Sequence, residues 1–252
     1  MSNGDTLIDC RGVTVRFGGV TAISNLSLSI RKGELLGIAG PNGAGKTTLF
    51  NVISGHVRPV DGEVLFAGER ISGLPPHEIF QRGVARTFQL ADVITEQSFY
   101  ANVLVGAHFA KDRGVRGMFR FGADSFAAAD AAAERYGLGD RLATRGGTAS
   151  LFERKMIMLA SAMARKPAVL LLDEPVGGLT EEEADTLLGE VQRITQEGTT
   201  VVVIEHVMRV LTSVAERLVI LNRGELLFDG NARDARENKQ LQELYFGSAA
   251  EG

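Results

Sequence analysis

The stretch Gly40-Pro41-Asn42-Gly43-Ala44-Gly45-Lys46-Thr47-Thr48 combines residue types that can grip an anion. Its glycines let backbone N–H groups curl round phosphate oxygens, and a helix opening at Lys46 would add the positive potential of its N-terminus. The spacing fits G-x-x-x-x-G-K-[ST]. It follows the short apolar run 34–39 and opens a helical stretch, which is the setting that the pattern requires. Lys46 would contact the terminal phosphates, and the Thr47 hydroxyl would ligate Mg²⁺. A mere Gly-rich turn needs neither residue. This is a nucleoside-triphosphate site, and it implies ATP or a relative as the ligand.

Further along, Asp173-Glu174 follows the apolar run 168–172. Carboxylates at the C-terminal end of a buried parallel strand lie where α/β sheets bind ligands. Asp173 can hold Mg²⁺ through water, and Glu174 is placed to polarise an attacking water as a general base. Beside a phosphate loop this outweighs a plain strand end before Pro175. His206 ends the next apolar run, 200–204, after Glu205, where its imidazole would face the γ-phosphate; a lone His is more often structural. Gln89 would sense Mg²⁺ or the attacking water. Phe17, just before Gly18-Gly19, would stack on a base, with ordinary core packing an equal alternative from spacing alone.

The elements that must hold these groups can be read from periodicity. Residues 10–17 and 24–30 alternate apolar and polar, as half-buried strands do, and 63–66 is a further short strand between turn signals. Pro75-Pro76 opens a helix to Arg82. Residues 90–165 are helix-rich, with an Ala-dominated helix over 124–136 stopped by Gly137 and a basic, Gly-punctuated loop at 111–121. The runs 168–172 and 200–204 are continuous, the mark of parallel strands buried on both faces. Between them Ala184, Leu187, Leu188, Val191 and Ile194 recur at helical spacing behind a Thr180/Glu183 capping box. Strands 218–221 and 225–228 flank Asn222-Arg223-Gly224 as a hairpin. The expected fold is an α/β core with an N-terminal antiparallel β part and a helical insert. Its divisions are 1–89 (β subdomain and first part of the core), 90–165 (helical subdomain) and 166–252 (rest of the core with a C-terminal hairpin and helix).

Composition narrows the class. The chain has 252 residues, 27 Lys+Arg against 31 Asp+Glu, a net charge of -4 and one cysteine, Cys10. That excludes an internal disulfide and a multi-Cys zinc or iron–sulfur centre, and gives no electrostatic reason to expect nucleic acid. No apolar run approaches the ~18–20 residues that a bilayer span needs, and the polar start shows no signal peptide. Membrane work would go through a partner.

Taken in order and spacing, the phosphate loop, Arg86-Thr87-Phe88-Gln89, LLLDEP at 170–175 and IEH at 204–206 resemble the ATP-binding cassette (ABC) family over nearly the whole chain. GLPPHEI at 73–79, GVARTFQ at 83–89, DEP-x-x-GL at 173–179 and ELYFG at 243–247 are most similar to the ATP-binding subunits of branched-chain amino acid importers; lipopolysaccharide-exporter cassettes look similar too. The resemblance implies a P-loop NTPase core and ATP hydrolysis with Mg²⁺ at Thr47, Gln89 and Asp173. It implies head-to-tail pairing with a second cassette, docking of the helical insert on two membrane permease subunits, a solute-binding protein, and a peripheral position on the cytoplasmic face of the inner membrane.

One departure stands out. The family signature, usually LSGGQ, is replaced by Ala149-Ser150-Leu151-Phe152-Glu153. Ser150 keeps the hydroxyl that would bond the partner's γ-phosphate, but Leu151 and Phe152 occupy the glycine positions and should hinder backbone approach. Ser150 and Glu153 then serve as a helix capping box. Thr180 likewise stands where the family has an aspartate. An intact phosphate loop with a damaged signature points to a heterodimer with a sister cassette. The alternative is a nucleotide-clamped module that seldom cleaves ATP.

Overall fold

The computed structural model describes residues 6–87, 93–109, 121–237 and 241. The chain forms two compact units, one from Met1–Pro76 with Gln192–Gly252 and one from His77–Val191.

The first unit opens with β1 (Thr6–Phe17) and β2 (Val20–Arg31), each longer than alternation alone predicts. The reason is a slip in β1. Ile8 and Cys10 point inward, the register shifts between Cys10 and Val13, and Val13 and Val15 point inward on the opposite parity. A bulge thus conceals the continuity of the strand from a period-two reading. With β4 (Asp61–Phe66) and β5 (Glu69–Arg70) these strands make an antiparallel sheet in the order β2-β1-β4-β5.

Strand β3 (Leu35–Ala39) is buried throughout and runs parallel to β8 (Thr200–Ile204) and to β9 (Arg217–Asn222). β9 continues into β10 (Glu225–Asn231) as the expected hairpin. Arg223 and Gly224 both have positive φ (49° and 81°), as a two-residue turn between twisted strands demands. Helix α1 (Lys46–Ile53) follows β3, and the short α7 (Met208–Val214) follows β8.

The second unit pairs β6 (Val84–Thr87), unmarked by any periodicity, in parallel with β7 (Val169–Asp173). Beside them stand three helices that pack on one another: α3 (Phe99–Phe109), α4 (Ala123–Arg135) and α5 (Leu151–Met163). Phe99, Val103, Ala129, Ala133, Leu159 and Ala160 are all buried. Small alanines on α4 let its neighbours approach closely, so the Ala run is a packing device as well as a helix former. Helix α2 spans Pro76–Gln81, and α6 (Glu181–Gln196) starts at the Thr180/Glu183 capping box, with Glu183 N–H donating to Thr180 Oγ1 at 3.3 Å. The first unit also holds the short helix α8 (Ala232–Glu237).

Candidate nucleotide site

In the first unit the phosphate loop leaves the carboxyl end of β3 and enters α1, and Pro41, Asn42, Gly43 and Thr47 face solvent. Gly40 and Gly45 are required for two separate reasons. Gly40 and Gly45 adopt φ values of 155° and 100°, which side chains resist. A Cβ on Gly40 would also lie 2.5 Å from the Leu221 carbonyl oxygen, and one on Gly45 2.7 Å from that of Ala22. The loop is pinned from outside, since Gly224 N–H donates to Ala44 O at 3.0 Å and Ser24 N–H donates to Gly224 O at 2.9 Å. Sequence reasoning missed this buttress. The only trace of it is a glycine in a hairpin far along the chain.

Lys46 is buried, and its ammonium donates to the carbonyls of Gly40 (2.5 Å) and Pro41 (3.1 Å). The cation is therefore held at the mouth of the loop, where anionic oxygens would replace those carbonyls. Phe17 is 53 % exposed at the end of β1, so the core-packing alternative fails and the ring is open to a planar ligand. His206 is also exposed, with Nδ1 3.8 Å from Oε2 of the fully buried Glu205. Gln89 lies outside the described residues, as do most of the basic loop and the ELYFG motif.

In the second unit Asp173 ends β7 and is buried. Arg86 Nη2 on β6 donates to Asp173 Oδ2 at 3.0 Å, another contact that no motif reading anticipated; a charged residue inside a short apolar strand was the available signal. The next residue, Glu174, has φ 49°, in the left-handed region that a non-glycine residue occupies at a cost of ~1–3 kcal/mol. Its carbonyl accepts from Gly177 N–H and from Lys155 Nζ, both at 3.3 Å, so the turn is secured from two sides.

At the N-terminus of α5, Ser150 and Glu153 cap each other. Ser150 Oγ accepts from Glu153 N–H at 3.2 Å, and Ser150 N–H donates to Glu153 Oε2 at 2.8 Å. Arg141 Nη1 holds the other carboxylate oxygen, Oε1, at 2.6 Å. The helix end is thus occupied by the chain's own carboxylate, with the Leu151 side chain exposed beside it.

Thr47 in the first unit and Asp173 in the second each carry oxygen atoms of the kind that suits a hard cation such as Mg²⁺. Among the described residues no group of three or more His, Cys, Asp or Glu could form a separate metal centre, and no helix is long and apolar enough to cross a membrane.

Residues 23–177 match the ABC transporter family model. The chain is 33% identical over 251 residues to the high-affinity branched-chain amino acid transport ATP-binding protein BraF of Pseudomonas aeruginosa, covering 96% of this chain and 98% of that one. It is 29% identical over 225 residues to the lipopolysaccharide export system ATP-binding protein LptB of Haemophilus influenzae, covering 89% and 90%. A nucleotide-free ATP-binding cassette from an ABC transporter superposes with a TM-score of 0.86 at 24% identity, over 95% of this chain and 98% of that one. The chain belongs to the ABC transporter family. It has the P-loop NTPase fold and is a nucleotide-binding, ATP-hydrolysing cassette subunit.

Proposed function

We propose that this chain is one of two unlike cassettes driving an importer of branched-chain amino acids or similar small polar solutes. The kinship with BraF supports the solute class. In this reading the amides of residues 40–48 and the Lys46 ammonium hold the phosphates, and Phe17 stacks on the base. Thr47, Gln89 and Asp173 hold Mg²⁺, which when bound supplies positive charge to the phosphate oxygens. Glu174 takes the proton from the attacking water, and His206 steadies the γ-phosphate. Two permease subunits, fed by a solute-binding protein, would anchor the cassettes on the cytoplasmic face of the membrane.

The observation that carries the asymmetric pairing is the capped end of α5. A phosphate approaching it would meet the Glu153 carboxylate, held there by Ser150 and Arg141. Like charges repel, and the chain's own carboxylate already stands at that end of the helix. The partner cassette's nucleotide therefore gains little from this chain, whereas this chain's own loop needs an intact signature from a sister. The purified chain should hydrolyse ATP slowly, and adding a sister cassette with an intact signature should raise turnover at least tenfold. Brisk cooperative hydrolysis by the chain alone overturns the pairing.

The likeness to LptB supports an exporter as the second reading. Transport in vesicles reconstituted with the cognate permease separates the two, because external amino acid accumulates inside only for an importer. A third possibility, a clamp that seldom cleaves ATP, predicts no effect of Glu174→Gln. The enzymatic reading predicts that turnover of the assembled complex collapses while ATP binding persists.

A further inference from the structure

Arg86 and Asp173 face each other across the paired strands β6 and β7, where Arg86 is in register with Leu171. Their contact is a charged hydrogen bond of 3.0 Å, and their side chains are only 7% and 1% exposed. Burying both charges is expensive, and apolar residues of the same volume would serve stability as well or better. An aspartate destined for a metal does not have that freedom. It must keep its carboxylate, and in the absence of a divalent ion that carboxylate needs a counter-charge.

We propose that Arg86 is a stand-in cation at the metal carboxylate: it pins and neutralises Asp173 while no divalent ion is bound, and so sets how much Mg²⁺ the site requires. The inference rests on the assignment of Asp173 to Mg²⁺ made above. Its logic is reciprocal coupling. Guanidinium and metal draw on one carboxylate, so each weakens the other's hold on it by the same factor. Arg86 is a positioning residue in this scheme, since it acts through Asp173.

The test titrates Mn²⁺ into the full chain with a non-hydrolysable ATP analogue, following bound metal by electron paramagnetic resonance. Thermal melts are recorded with and without the metal–nucleotide pair. For Arg86→Met the metal-free chain should melt lower, while half-saturation should occur at roughly tenfold less Mn²⁺. Arg86→Lys should return both values part of the way. A purely structural ion pair predicts the lower melting temperature with no gain in metal affinity, and an unchanged or raised Mn²⁺ requirement overturns the proposal. Should the methionine variant not fold, Arg86→Gln carries the same comparison. Asp173→Asn is the control on the parent assignment. If it leaves the Mn²⁺ midpoint unmoved, the metal role of Asp173 itself is wrong; if it shifts the midpoint and the Arg86 variants do not, only the stand-in role falls.

Discussion

Lys46 is held by its own loop. Its ammonium rests on the carbonyls of Gly40 and Pro41, so the loop is already shaped round a positive charge before any phosphate arrives. Lys46→Ala should abolish ATP binding measured by calorimetry with magnesium present, while leaving the fold intact by circular dichroism. Cys10 is a contrasting residue. Burial first, and the neighbouring Asp9 carboxylate second, push its thiol from 9.0 up to about 12. The folded chain therefore holds this proton where the unfolded chain has released it. Its contribution to stability is complete below pH 9 and is lost as the pH climbs from there towards 12, by up to about 1.4 kcal/mol for each pH unit. Between pH 9 and 12 the stability of Cys10→Ala should fall less steeply than that of the native chain in urea titrations. The native thiol should also resist alkylation at neutral pH, because the thiolate is the reactive form.

At the scale of elements, α5 is the informative case. Its capping box was legible as Ser-x-x-Glu, and the hydrogen bonds are there; the clamp that Arg141 adds was not, since nothing in the linear chain ties residue 141 to residue 153. Ser150→Ala should cost about 1 kcal/mol of stability, read from denaturant midpoints. The combined change Leu151→Gly, Phe152→Gly and Glu153→Gln removes the carboxylate and both side chains. It should give a chain that dimerises with ATP and turns over without a sister cassette, seen by light scattering and phosphate release. The hairpin of β9 and β10 was equally legible, from Asn-Arg-Gly between apolar runs. Its support of the phosphate loop through Gly224 came from three-dimensional proximity alone.

Over the molecule as a whole, stability in the first unit converges on Arg217. Its guanidinium bonds Asp229 at 2.7 and 2.8 Å, Glu34 at 3.0 Å and the Ser29 carbonyl at 2.9 Å, tying together β2, β9, β10 and the start of β3. The hydrogen bond to Asp229 is the main reason that its pKa lies above the usual arginine value. Arg217→Met should destabilise the protein by about 3 kcal/mol, because two carboxylates lose their partner. That loss should appear in equilibrium unfolding while nucleotide affinity in the folded fraction stays as it was.

The phosphate-loop pattern, the Asp173-Glu174 pair at the end of β7 and the Ser150/Glu153 capping box follow from the linear chain, because each depends on neighbours within a few positions. Periodicity reports the face that a residue presents, and a glycine pattern reports a backbone that must bend. Tertiary structure alone decided the β1 bulge, the strand carrying Arg86, the exposure of Phe17, the contact of Arg86 with Asp173 and that of Arg141 with Glu153. These depend on which groups well separated along the chain come together, and only the folding of the chain determines that.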